Sequence, residues 1–231
     1  MENFPNQNWS AEFSRQLNDF KRETEEKLAQ RYGRAFHVTG MMGNAGVEEV
    51  LLYVRAEGGE PRMFTVRVAG DSSVRDDYVA RLRLRECEKA LEAELARAGC
   101  EALVSAAMPG CDSTGLPVDT PLEELLGREE VYGLLARVAL KAPVENGDAV
   151  ADALKALGLR LGKWTVFSGY ALEEAGFEAC REPFATLPEV TEAIITDLDP
   201  VAEFSVSVRD GECVAANVKG DVLKGGADDA R

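Results

Sequence analysis

The chain has 231 residues, of which 45% are hydrophobic and 29% charged, a composition typical of a folded protein with one large or two small domains. Its formal net charge of −15 argues against nucleic acid as a partner, because binding to phosphate requires a basic surface. No apolar run reaches the roughly 18 to 20 residues of a membrane-spanning helix, which argues against a membrane protein.

The cysteines and the N-terminal residues indicate a cytoplasmic protein. There are five cysteines, an odd number, and none of them is spaced C-x-x-C. This pattern favours reduced thiols over a disulfide framework. The first 13 residues, MENFPNQNWSAEF, contain neither a basic region nor a hydrophobic segment, so we expect no signal peptide.

Residues 10–31 carry the pattern of an amphipathic helix. Its apolar residues fall on one helical face: Phe13, Leu17, Phe20 and Leu28. Two interpretations are open. The helix docks on the body of the protein, or it presents Phe13, Leu17 and Phe20 to a protein partner. We favour docking.

The next segment alternates between strand patterns and glycine. Residues 35–39 and 47–56 favour strands, and GMMGNAG lies between them. A glycine-rich turn can hold a phosphate at a helix N-terminus, but Gly40, Gly43 and Gly46 lack the G-x-G-x-x-G spacing, and no P-loop lysine follows. We therefore predict a hairpin loop and, with the strand pattern that begins at Met63, a three-stranded antiparallel meander.

The strongest single pattern is a long amphipathic helix over residues 72–99. Ser73 and Asp76 have the spacing of a capping box at its start, and Gly99 occupies the position of a left-handed C-cap residue. An apolar stripe runs along one face, and charged residues occupy the rest, which we expect to be solvated.

Three bases on this helix repeat every four residues and line one edge: Arg81, Arg85 and Lys89. We predict that they pair with the acidic second half of the chain, within one molecule or across a dimer. Binding of an anionic ligand is the alternative.

Proline and glycine at residues 109–117 interrupt regular structure and mark a boundary between two halves. The predicted elements after it are a short helix to about residue 126, a strand at 131–140, a helix at 148–157 ended by Gly158, a strand at 164–170, a weak helix at 188–198, and a hairpin around Asp210-Gly211. Residues 171–180 fit either a short helix or a loop. The residues from 221 onward have little to bury, and we expect them to be mobile.

Catalytic candidates are few. His37 is the only histidine, so any Ser-His-Asp or Cys-His enzyme must use it. No second histidine or cysteine lies at ligand spacing, which argues against a transition-metal site. We favour a structural role for His37. Cys111 is the best candidate for an exposed, reactive thiol, although a silent cysteine is the simpler interpretation.

Acidic residues dominate the second half. Residues 1–112 carry 19 acids and 15 bases, a net charge of −4, whereas residues 113–231 carry 22 acids and 11 bases, a net charge of −11. A solvated acidic face is the simplest interpretation. A functional use would be docking of a basic protein surface on four of these acids: Glu189, Glu192, Asp197 and Asp199. No D-x-D-x-D-G calcium loop is present.

These patterns predict an α+β protein of two packed subdomains, residues 1–112 and 118–220, each a mainly antiparallel sheet covered by helices, with a mobile tail at 221–231. We expect a non-catalytic interaction or regulatory protein without a cofactor, which binds a protein partner or itself through the acidic surface, the first helix, or both. The alternative is a small hydrolase or transferase with a site around His37 and the glycine loop at residues 40–46. The sequence does not identify a small-molecule ligand.

Overall fold

A computed structural model describes residues 11–43, 49–58 and 63–223. These residues form an α+β fold in two parts, with two mainly antiparallel sheets and six helices. In chain order the elements are α1 (Ala11–Tyr32), β1 (Phe36–Gly43), β2 (Glu49–Ala56), β3 (Phe64–Ala69), β4 (Val74–Asp76), α2 (Tyr78–Arg97), β5 (Ala102–Ala107), α3 (Leu122–Gly127), β6 (Gly133–Lys141), α4 (Gly147–Leu161), β7 (Trp164–Leu172), α5 (Glu174–Thr186), α6 (Glu192–Thr196), β8 (Ala202–Arg209) and β9 (Glu212–Lys219).

The first sheet is antiparallel in the order β1-β2-β3-β4. Its strands alternate, so that Leu52, Val54 and Val66 are fully buried on one face. Helix α1 docks on this inner face, because Leu28 is fully buried there and the half-buried Phe20 packs against the same core. The predicted meander of β1, β2 and β3 is confirmed. The loop residues 44–48, which include Gly46, lie outside the described residues.

The second sheet has the order β5-β6-β7-β8-β9, and only the β6–β7 pair is parallel among the described strands. Helices α2 and α4 cover one face, where Val138, Phe167 and Val206 are buried. Helix α5 covers part of the other face through Phe177, and Ile195 of α6 joins the same cluster. The segment that fitted either a helix or a loop is therefore mostly helical.

Helix α2 begins at Tyr78, so the predicted start at residue 72 was wrong. Val74 and Asp76 pair with Val68 and Val66 as strand β4, and Asp77 is the N-cap residue without a side-chain capping bond. Pairing with β3 therefore overrides the local capping pattern. The predicted end is confirmed: Gly99 has φ +83°, and its N–H donates to the Ala96 carbonyl over 3.0 Å.

Helix α2 contributes to both cores. Tyr78 and Val79 pack in the core of the first sheet, whereas Leu84 and Leu91 pack in the core of the second. Strand β5 also belongs to the second sheet, since it pairs with β6 along its whole length. The chain thus passes from the first sheet to the second before residue 102, and not at the predicted boundary at residue 112.

Two further expectations in the second half are corrected. Helix α4 continues past Gly158 to Leu161 and is capped by Gly162, which has φ +64°. Gly158 is a packing position rather than a helix end, since a Cβ atom there would overlap Val208. The predicted mobile tail does not begin at residue 221, since Val222 and Leu223 are buried. The hairpin of β8 and β9 around Asp210-Gly211 is confirmed. Residues 224–231 lie outside the described part.

Candidate binding cleft

A cleft lies where the first sheet, the start of α2 and the segment after α5 meet. One part has a volume of about 490 Å³, and a second cavity of about 520 Å³ adjoins it. The two cavities share Tyr53, Pro188, Glu189 and Thr191, so we treat them as one trough. A concave site at the junction of two structural units is a common place for a ligand.

One wall of the trough is the outer face of the first sheet. Strand alternation turns Leu52 and Val54 inward and Tyr53 and Arg55 outward. Arg67 on β3 and Arg75 on β4 line the same wall. We call Arg55, Arg67 and Arg75 the arginine face.

Two arginines stand directly opposite each other on this face, and a third lies opposite the histidine. Arg67 pairs with Arg75 across β3 and β4, and Arg55 pairs with His37 across β1 and β2. Arg67 approaches Glu49 at 3.9 Å, but no ion pair joins Arg55 or Arg75 to another described residue. Like charges directly opposite on neighbouring strands destabilise a sheet. Glu49 beside Arg67, and Asp71, whose pKa Arg75 helps to lower, offset part of this repulsion.

The floor of the trough is the first turn of α2. Asp77 accepts a hydrogen bond from the Thr65 N–H over 2.6 Å, and burial raises the pKa of its carboxyl group. Arg81 is only 3% exposed and donates to the Ala106 carbonyl and to Glu88, the latter over 3.0 Å. Its Nε has no hydrogen-bond partner among the described residues.

The predictions of a solvated charged face and of pairing with the acidic half were wrong for Arg81 and Arg85. Both contact Glu88 of their own helix, which is fully buried. Arg81 and Glu88 are seven residues apart, two helical turns, and therefore face the same side. Lys89 is exposed.

The remaining wall comprises residues 107–112 and 187–194. The Val190 N–H donates to the Ser105 hydroxyl over 3.1 Å, and the Met63 N–H donates to the Thr186 carbonyl over 3.3 Å, which fixes this segment against both sheets. Cys111 is half-buried here, and burial raises the pKa of its thiol to about 11. The thiol is therefore protonated at neutral pH, which argues against a nucleophile.

His37 lies exposed on the outer face of β1 and does not line the trough, although Thr39 and Gly40 do. The cross-strand neighbour of His37 is Arg55. Within the described ranges, no carboxylate forms a hydrogen bond or an ion pair with His37. A general base of the triad type would need such an acid to orient it.

The predicted partner-binding residues lie in two places. Leu17 and Phe20 are half-buried on α1, and the side chain of Phe13 lies outside the described residues. The four acids are all exposed, and we call them the acidic ridge: Glu189, Glu192, Asp197 and Asp199. Glu189 lines the trough.

Nearby bases partly neutralise the acidic ridge. Glu192 lies 4.0 Å from Arg137, and Asp199 lies 3.6 Å from Lys219. Glu189 and Asp197 form no ion pair with a described residue. The ridge therefore retains negative charge at its trough end and near the end of α6.

The sequence analysis missed the arginine face. The period-two alternation in EVLLYVRA and FTVRVA was sufficient to place Tyr53, Arg55 and Arg67 on one face. The position of Arg75 on this face could not be predicted, because its segment was assigned to the long helix rather than to a strand.

Within residues 11–43, 49–58 and 63–223, no group of three or more His, Cys, Asp or Glu side chains is placed to hold a metal ion. Across the same part of the chain, no helix combines the length and the apolar character needed to cross a membrane.

Comparison with known proteins shows that the fold of this chain is similar to that of a solved structure. The chain is similar to the crystal structure of a DUF5037 family protein from Ruminococcus gnavus, with a TM-score of 0.63 and 14% sequence identity over 83% of this chain and 92% of that one. No protein-family model matches the chain, and no curated protein matches it. At this identity the likeness concerns the fold alone.

Proposed function

We propose that the protein is a non-catalytic binding protein that holds an extended, acidic segment of a protein partner in the trough. The observation that carries this proposal is the direct cross-strand opposition of Arg67 and Arg75 on an open wall. A carboxylate between the two guanidinium groups would convert a repulsive pair into a bridged one. Tyr53, beside them, offers an aromatic surface to the same segment.

Other features of the molecule support binding without catalysis. The single histidine lies outside the trough, and the thiol of Cys111 within it is protonated at neutral pH. All five cysteines are unpaired, which supports a reducing compartment such as the cytoplasm.

An array of extended acidic, basic and neutral peptides, probed with the purified protein, tests the proposal. We expect the acidic peptides to bind, and the double variant Arg67→Gln/Arg75→Gln to lose at least about tenfold in affinity. The control is Arg97→Gln/Arg209→Gln, which removes two exposed arginines outside the trough. Equal effects of the two double variants, or no preference for acidic peptides, would refute the proposal.

A second readout needs no ligand. Because Arg67 and Arg75 repel each other in the free protein, Arg75→Gln alone is expected to raise the free energy of unfolding by about 0.2–1 kcal/mol. Urea unfolding measures this change. A loss of stability would mean that Arg75 supports the fold rather than a ligand.

The acidic ridge supports a second candidate, docking of a basic protein surface, because Glu189 and Asp197 are exposed and form no ion pair with a described residue. In this case basic peptides would bind in a salt-sensitive manner. Joint neutralisation of the four ridge acids (E189Q, E192Q, D197N and D199N) would abolish that binding and leave the acidic peptides unaffected. Binding indifferent to salt and to these changes would exclude the ridge.

A further inference from the structure

Each sheet has one edge strand with a backbone N–H that a side chain satisfies: β1 in the first sheet and β5 in the second. The Val38 N–H of β1 donates to Glu25 of α1 over 2.7 Å. The Ala106 N–H of β5 donates to Glu88 of α2 over 2.8 Å. A backbone N–H that is satisfied in this way is not available for pairing with another strand.

Strand β4 is closed by a loop. The Asp76 N–H donates to the Thr114 hydroxyl over 2.6 Å, and the Asp76 carbonyl accepts the Ser113 N–H over 3.0 Å. Three of the four sheet edges thus have backbone groups that are already satisfied by other parts of the molecule.

Strand β9 is the remaining edge. Within the described part of the chain, only β8 forms hydrogen bonds with the backbone of residues 212–219. Val214 and Val218 are 65% and 67% exposed on this strand. Exposed valines on an unpaired edge are typical of a strand that pairs with another chain.

The charges along β9 favour a second copy of the same strand. The sequence ECVAANVK begins with Glu212, ends with Lys219 and has no charge between them. Antiparallel pairing of two such strands brings Glu212 of each copy to the end where Lys219 of the other copy lies. Lys219 also lies 3.6 Å from Asp199 and donates to the Pro200 carbonyl over 2.7 Å within its own chain. The opposite charges at the two ends make the edge complementary to itself, as a two-fold interface requires.

We propose that β9 pairs with β9 of a second copy, joining the two five-stranded sheets edge to edge in a homodimer. This interface lies apart from the trough, so the proposal stands independently of the proposed function. The dimer forms despite the net charge of −15, because the strands in contact carry no charge between their ends.

Sedimentation equilibrium over a concentration series tests the dimer. We expect twice the mass of the 25.0 kDa chain and a dissociation constant that Val214→Lys raises at least about tenfold. The control is Leu159→Lys, which places the same charge on α4, where Leu159 is 51% exposed. A monomer at all concentrations, or a dimer that Val214→Lys leaves intact, would overturn the proposal.

A charge exchange provides an independent measurement. Glu212→Lys alone is expected to weaken the dimer, and Glu212→Lys/Lys219→Glu is expected to restore it, because the exchanged strands are again complementary. Far-UV circular dichroism confirms that each variant is folded. Failure of the double variant to recover any of the loss would place the interface elsewhere.

Discussion

Glu88 is a buried charge with several hydrogen-bond partners. It is fully buried, and it accepts hydrogen bonds from Arg81, Arg85 and the Ala106 N–H over 3.0, 3.3 and 2.8 Å. Removing one partner of a buried ion pair leaves the other charge uncompensated.

We therefore predict that Glu88→Ala lowers the free energy of unfolding by about 3–5 kcal/mol, as measured by urea denaturation. The matched control is Glu86→Ala on the same helix, whose side chain is 64% exposed beside Arg83. Its expected effect is within about 0.5 kcal/mol. Similar losses in the two variants would mean that burial of the Glu88 charge does not determine the result.

Asp77 and Asp71 are expected to affect the pH dependence of stability in opposite directions. Burial raises the pKa of Asp77, so its ionised form costs stability at pH values above the folded-state pKa. Asp77→Asn, which keeps an acceptor for the Thr65 N–H, should therefore stabilise the protein at pH 7. This gain should disappear as the pH falls to the ordinary aspartate value of 3.8.

Hydrogen bonds from Ser73 lower the pKa of the exposed Asp71, so its ionised form contributes stability above pH 3.8 that is lost at lower pH. Asp71→Asn should therefore destabilise the protein at pH 7. Thermal unfolding at pH 3.5, 5 and 7 follows both variants, and shifts of the same sign would contradict the assignment.

At the scale of the elements, the short segment after β9 is held by one side chain. The Asn217 Oδ1 accepts the N–H groups of Val222 and Leu223 over 3.1 and 2.9 Å, and its Nδ2 donates to the Leu223 carbonyl over 2.9 Å. This arrangement keeps two buried apolar residues against α4 and the second sheet.

We expect Asn217→Ala to lower the free energy of unfolding by about 1–3 kcal/mol, because backbone groups beside a buried segment lose their partners. Asn217→Asp keeps the acceptor and loses the donor, so its loss should be smaller. Urea unfolding of both variants checks this order. If the two variants lose the same free energy of unfolding, the hydrogen bond that the Asn217 Nδ2 donates to the Leu223 carbonyl accounts for most of the stabilisation.

The elements that the sequence predicted correctly are those with strong local patterns. Strand-favouring residues identified β2, alternation identified β3 and β7, and the Asp-Gly pair identified the β8–β9 turn. The errors came where a long-range contact overrides a local one. Pairing with β3 makes a strand of Val74–Asp76 despite its capping pattern, and Gly158 lies within α4 at a close approach to Val208 instead of ending the helix.

The trough was predictable only in part. The outward face of Tyr53, Arg55 and Arg67 follows from strand alternation, and Glu189 was named among the acids. Burial of Arg81 against Glu88 was beyond sequence reasoning, because both residues lie on a helix whose pattern placed charge in solvent. Only the position of β5 beside α2 brings the Ala106 carbonyl within reach of Arg81.

At the scale of the whole molecule, the two sheets are linked through α2 and β5. We predict that neither residues 1–112 nor residues 113–231 fold alone, because the first fragment contains β5 without β6 and the second lacks α2. Each fragment should show no cooperative thermal transition, and mixing them should restore one. A sharp transition in an isolated fragment would establish that it is an independent domain.

The shared helix also has a consequence for synthesis on the ribosome. The first sheet is complete at Asp76, and α2 follows immediately, but Leu84, Leu91 and Leu95 pack in a core whose strands β6, β7 and β8 are made later. Domains generally fold from the N-terminus as the chain emerges, and exposed apolar surface on a nascent chain promotes aggregation. The nascent protein is therefore most dependent on chaperones after α2 has emerged and before β8 has been translated.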